Sequence, residues 1–217
     1  MRIQSRLYFL PLAFALAQPL PARGADEPAA ALVDLLSRTD SMRATVSQLT
    51  LDQNGREVQE TEATLVMRKP DHFHWHTTVP YEETMVTDGE RIWIYEPDLE
   101  QVTIQPFSDD VGRTPALLLS GDENTLAESF EITREEFGGG RQTFRLLPTD
   151  PGSLFENLTL SFNGDTLEQM HFEDSLGQKT SLSFSDVETN VEVDDSFFTF
   201  DVPEGVEVID STGQGDE

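Results

Sequence analysis

Residues 68–76 read Arg-Lys-Pro-Asp-His-Phe-His-Trp-His and hold three of the four histidines in the chain. In an extended strand, successive side chains point to opposite faces. His72, His74 and His76 then share one face, and Phe73 and Trp75 share the other. Imidazoles are good zinc ligands, but three from one strand span about 13 Å at roughly 3.3 Å per residue, whereas each must reach zinc at about 2 Å. No cysteine and no carboxylate motif completes a ligand set. The stretch therefore reads as a half-buried strand with its histidines turned to solvent and its aromatic side turned inward.

Other chemistry finds no support. There is no Gly-x-Ser-x-Gly elbow, no phosphate-binding glycine loop and no cysteine nucleophile. Gly138-Gly139-Gly140 lacks a following Lys-Ser/Thr and reads as a turn. The run from Asp52 has Gly55 too early for a calcium loop, with Arg56 where a ligand belongs. The pairs Asp109–Asp110 and Asp194–Asp195 read as loop charge, and nothing singles out a catalytic acid and base. The expectation is a protein that is not an enzyme, with no metal and no cofactor.

The bulk properties narrow the class. The formal net charge is −27 over 217 residues. Such a surface repels nucleic acid and anionic headgroups, keeps the chain soluble, suits a salty habitat, and could steer it towards a basic partner. Arg2 and Arg6 precede the apolar run 7–17, and Ala22-Arg23-Gly24 supplies small residues at a cleavage site. Residues 1–24 read as a secretory signal peptide. The run is 11 residues long, and a membrane span needs about 20. Without cysteine there is neither a disulfide nor a lipid-modified N-terminal Cys, so the mature chain is expected to be free in solution.

The rest of the chain shows how these residues are carried. Leu32, Leu35, Leu36, Thr39 and Met42 recur at helical spacing, predicting a helix over about 28–43. From Thr45 the period becomes two. Strands are predicted at 46–51, 57–68, through Phe73 and Trp75, at 84–87, 91–95, 100–105, 130–135, 142–147, 156–163, 166–173 and 178–187. Residues 197–203 read as a last strand or edge. Asp88-Gly89 and Asn163-Gly164 mark turns between them. Thr114-Pro115 opens a short helical interlude containing Leu117, Leu118 and Leu119. The architecture is mainly β with some α: an unclosed antiparallel barrel, one strongly curved sheet, with a helical lid. Residues 25–210 form one domain, and 211–217 form a disordered acidic tail. Periodicity fits a filled barrel and a hollow one equally well.

RKPDHFHW, Pro80, MVTDGERIWIYEPDLEQVTI and RTPALLL together resemble the periplasmic outer-membrane lipoprotein carrier (LolA) family. So do FRLLPTD, LTLSFNGDTLEQMHFEDSLGQKTSLSF and FTFDVPEGVEVID further along. The likeness spans essentially the whole mature chain. It implies a hydrophobic cavity for acyl chains, covered by the lid. It also implies a periplasmic chaperone that binds no nucleotide, takes triacylated outer-membrane lipoproteins from an inner-membrane ABC transporter and passes them to an outer-membrane receptor. A monomer is expected. The alternative from another class is a lipid-sensing regulatory module of the envelope.

Within that resemblance, strand parity puts Leu65, Met67, Phe73, Trp75, Met85, Trp93, Tyr95, Phe162, Met170 and Phe172 on the cavity wall. Leu117, Leu118 and Leu119 go to the lid. The family's usual Arg before Pro70, implied to bond the lid, is here Lys69, with Arg68 one residue earlier; the two are the candidates for the lid-closing polar contact, although adjacent strand residues face opposite ways, so Arg68 needs a local twist to take that role. Lysine offers a point charge where arginine offers a planar fork. Fewer lid bonds and easier opening are expected.

Overall fold

The computed structural model describes residues 26–107 and 118–213. The signal-peptide reading of residues 1–24, the Thr114-Pro115 helix start, Leu117 and the last four residues of the tail lie outside them.

Twelve strands form one open sheet. In chain order they are β1 (Ser41–Leu51), β2 (Glu57–Arg68), β3 (His72–Val79), β4 (Glu83–Asp88), β5 (Arg91–Glu96), β6 (Gln101–Pro106), β7 (Phe130–Glu136), β8 (Arg141–Pro148), β9 (Phe155–Asn163), β10 (Thr166–Asp174), β11 (Lys179–Thr189) and β12 (Glu207–Asp210). Their spatial order is β12-β6-β5-β4-β3-β2-β1-β11-β10-β9-β8-β7. The strands at the two ends of that order do not pair, so the barrel is unclosed. Neighbours are antiparallel except β12, which runs parallel to β6. Register shifts in β1 near Arg43 and in β10 near Leu167 are of the kind that bend and twist strands.

Among the described residues, two short helices cover the concave face: α1 (Asp26–Leu36) and α2 (Glu123–Ser129). Leu32, Leu35 and Leu36 of α1 and Leu126 of α2 are buried in the same apolar cluster as the inner face of the sheet.

The predicted helix over 28–43 ends earlier than expected, at Leu36. Met42 keeps its apolar spacing but belongs to β1, where it pairs with Met67. A strand that follows a helix after a short turn, here residues 37–40, can extend a helical pattern by coincidence. The predicted strand at 197–203 is also different. Residues Asp195–Phe198 form a 3₁₀ turn capped by the Asp194 side chain, the following stretch is irregular, and the added strand is β12.

Candidate functional site: a lidded concave face

Residues opposite one another in antiparallel register share a face. Met42 pairs with Met67, Met67 with Phe73, Ala44 with Leu65, Leu65 with Trp75, Trp75 with Met85 and Met85 with Ile94. Across the other half, Leu182 pairs with Met170 and Met170 with Leu160. These side chains line the concave face. Leu65, Phe73 and Met170 are fully buried, and Met67, Trp75 and Phe162 nearly so. Met85 and Phe172 pack on the cluster while partly exposed. Eight of the ten residues predicted for the wall are thus brought together.

Trp93 and Tyr95 are not. Ile92 and Ile94 of β5 join the concave cluster, so Trp93 and Tyr95 face outward. Trp93 pairs with Val86, and the Tyr95 ring lies 5.6 Å from that of Phe200. The run Ile-Trp-Ile-Tyr is apolar at every position, so hydrophobicity could not choose its inner side. Both sides are apolar because the C-terminal segment covers the convex face.

That covering also corrects the reading of the histidines. They do face outward, but His72 and His74 are half-buried instead of solvated. Phe198 packs edge-on to His72 at 5.1 Å and Phe197 to His74 at 5.9 Å. Phe198, Val193 and Val66 form a second, smaller apolar cluster there. Burial, and then the neighbouring His76, push the His74 imidazole below its ordinary pKa. Among the described residues, no group of three His, Cys, Asp or Glu is arranged to hold a metal.

Arg68 belongs to this outer side as well. It donates to Asp195 (2.6 Å) and to the Val193 carbonyl (3.3 Å), and its guanidinium lies 4.9 Å from the centre of the Phe198 ring. The expected lid contact from Arg68 is therefore wrong; strand alternation sends it to the C-terminal segment.

Lys69 reaches the lid. Its Nζ donates to the Leu36 carbonyl at the end of α1 (3.0 Å) and to Glu123 Oε2 at the start of α2 (2.9 Å). One ammonium ties both helices to the β2–β3 turn. The hydrogen bond from Lys69 holds the Glu123 carboxyl below its ordinary range. The backbone adds a further tie, Asp71 N–H to the Ser120 carbonyl (2.9 Å). Leu119, in the turn just before, is buried in the core, and Leu118 packs against it. Neither Glu123 nor the set of α1 leucines announces itself as part of a site in the sequence. An acidic residue opening a short helix looks like any other surface carboxylate until its partner, 54 positions earlier, is known.

The lid helices pack closely on this face: among the described residues, Leu35, Leu36, Met42, Met67, Leu119 and Phe162 surround a pocket of about 20 Å³. Acyl chains can lie there only if the helices move and their leucines give up the space.

The opposite end of the concave face is open, with a cavity of about 710 Å³. Its floor is Trp75, Met85, Phe172 and Leu182. Above the floor, the same strand parity places Thr50, Thr61, Thr77 and Thr180, each at least nine-tenths buried. At the lip stand Glu82, Glu83, Glu96, Asp98 and Asp174, with exposed Tyr81 and Leu99. Burial, and then the Glu96 carboxylate, raise the Glu83 pKa. The inner face thus grades from apolar at the lid, through hydroxyl and the amides of Gln48, Gln59 and Gln178, to carboxylate at the mouth. Sequence reasoning misses the threonines because alternation marks a face and does not say where along it a ligand sits.

Known proteins resemble this chain along most of its length. The family model described as "Outer membrane lipoprotein carrier protein LolA" matches residues 37–201. A Chromohalobacter salexigens protein named outer-membrane lipoprotein carrier protein is 41% identical over 198 residues, 91% of this chain and 94% of its own. One of the same name from Azotobacter vinelandii is 41% identical over 209 residues, covering 96% of this chain and 99% of its own. One from Pseudomonas aeruginosa is 45% identical over 197 residues, 90% of this chain and 94% of its own. Among solved structures, an uncharacterized conserved protein from Thermus thermophilus superposes with a TM-score of 0.53 at 14% identity, covering 84% of this chain and 98% of its own. That likeness concerns the fold alone. By its family model and by its relatives across nearly their whole length, the chain belongs to the LolA family of outer-membrane lipoprotein carrier proteins.

Proposed function

We propose that this protein is a periplasmic chaperone for outer-membrane lipoproteins. It receives triacylated cargo from an inner-membrane ABC transporter, keeps the acyl chains dry and hands them to an outer-membrane receptor. Residues 1–24 serve as the export signal and are removed, and the mature chain works as a monomer without cofactor or catalysis. The observation that carries this reading is an apolar concave face closed by two helices through a side-chain latch, in a chain of this family.

The physical need is clear. Each buried methylene is worth about 0.8 kcal/mol, and one myristoyl chain alone gives membrane binding of only about 10⁴ M⁻¹. A protein carrying several such chains would almost never cross water unaided. Burying the chains against Leu65, Phe73 and Met170 removes that barrier. The lid leucines, which occupy the same space when cargo is absent, compete with the chains, so that cargo is held but not trapped.

Depletion tests the function. Loss of the protein should leave outer-membrane lipoproteins stranded at the inner membrane, and protein purified from its native periplasm should carry triacylated proteins. Normal lipoprotein sorting after depletion would overturn the reading. Free lipids alone on the purified protein would indicate a sensor instead.

A further inference from the structure

We propose that the open mouth is a selectivity filter that accepts uncharged acyl esters and rejects phosphate-bearing lipids. The proposal rests on the carrier reading and adds to it the means by which a carrier working beside membranes avoids filling with phospholipid.

The hydroxyl collar is built to donate. The Trp75 indole N–H donates to Thr77 Oγ1 (3.0 Å), which frees the Thr77 hydroxyl proton to donate elsewhere. Thr50 and Thr180 share one hydrogen bond (3.1 Å), so one of the two hydroxyl protons is left over. Thr61 is 5% exposed and lines the same cavity, and its hydroxyl has no side-chain or carbonyl partner among the described residues. Three hydroxyl protons on largely buried threonines thus border an apolar floor. Their complement is a group that only accepts hydrogen bonds and sits at the head of hydrocarbon chains, which describes an ester or amide carbonyl of an acyl group. A ligand that covers these hydroxyls without offering acceptors would leave them unmet at a cost, so the match is selective.

The lip works by exclusion. Five carboxylate side chains border the cavity, and its described lining includes no Lys, Arg or His. A phospholipid seated with its carbonyls at the collar would bring its phosphate up to these carboxylates with no cation to pair it. Like charges at that range repel. The acyl-glyceryl end of a lipoprotein has no phosphate and continues as peptide, so it meets no such penalty.

The test offers the purified protein equal amounts of two probes in mixed micelles: a triacylated lipopeptide with an uncharged peptide, and phosphatidylglycerol of the same chain length. The bound lipids are then quantified by mass spectrometry. Wild type should take the lipopeptide over phosphatidylglycerol by about tenfold or more, the size of the repulsion between two unit charges about 12 Å apart at an effective dielectric constant of about 20. Glu83→Gln with Glu96→Gln should bring the ratio several-fold closer to one while lipopeptide capture stays. High salt should erode the preference in wild type without any substitution. Thr61→Val with Thr77→Val should weaken lipopeptide capture. Equal uptake of the two probes by wild type, or a ratio that neither neutralisation nor salt changes, would overturn the filter while leaving the carrier reading intact. Uptake of neither probe would overturn the carrier reading itself.

Discussion

Replacing Lys69 by methionine removes the latch while keeping most of the side chain's length. The ammonium makes two hydrogen bonds, to the Leu36 carbonyl and to Glu123. Bonds to charged groups contribute about 1.5–3 kcal/mol each. The pair is poorly screened, since the side chains are 14% and 20% exposed, but the Leu36 carbonyl at a helix end can turn to water, so only part of its bond is lost. A net loss of about 2–3 kcal/mol to the closed lid follows, a shift of roughly 30- to 150-fold in the opening equilibrium. Amide hydrogen exchange checks this directly. Protection in α1 and α2 should fall by that factor, while the paired strands of the sheet should keep theirs. Unchanged exchange in the helices would refute the latch. A uniform loss of protection through the whole sheet would show that Lys69 supports the fold in general and not the lid. Lys69→Arg should restore or slow opening; equal opening and equal cargo transfer in Lys69→Arg and wild type would remove the idea that lysine loosens this lid.

The latch should also respond to acid. The folded-state pKa of Glu123 is lowered, so its contribution to lid closure is fully present above the ordinary glutamate value of 4.5 and disappears as pH falls through the lower folded value. Helix exchange measured down this range should accelerate in wild type more than in Glu123→Gln. Glu83 behaves in the opposite sense: its raised pKa means that its charge costs stability at neutral pH, a cost relieved as pH falls through the raised value. Glu83→Gln should therefore be at least as stable as wild type to urea at neutral pH. On the convex side, Phe198 is 2% exposed, and Phe198→Ala should cost about 3–5 kcal/mol in urea unfolding. A loss below about 1 kcal/mol would mean that the C-terminal segment is only loosely applied.

The strands are legible in the sequence because alternation is strong wherever one face is polar. Leu158, Leu160 and Phe162 against Asn157, Thr159 and Ser161 is such a case, and β9 runs where that pattern places it. The signal fails where both faces are covered. Ile92 to Tyr95 is apolar throughout because lid-side core lies on one side and Phe200 on the other, and no local pattern separates them. The histidine face misleads for the same reason: its cover comes from residues more than 120 positions later. Met42 reads as helical because apolar spacing runs on across the helix–strand junction. The Lys69–Glu123 pair and the threonine collar depend on which residues meet across the barrel, and that is set by register and not by any one stretch of chain.

The two tryptophans offer the sharpest test of where acyl chains lie, since Trp75 is on the concave face and Trp93 on the convex one. A triacylated lipopeptide with brominated chains should quench the fluorescence of a Trp93→Phe variant, in which only Trp75 remains, and leave that of a Trp75→Phe variant nearly unchanged. Quenching of Trp93 with Trp75 spared, or of neither, would contradict the placement of the acyl chains on the concave face.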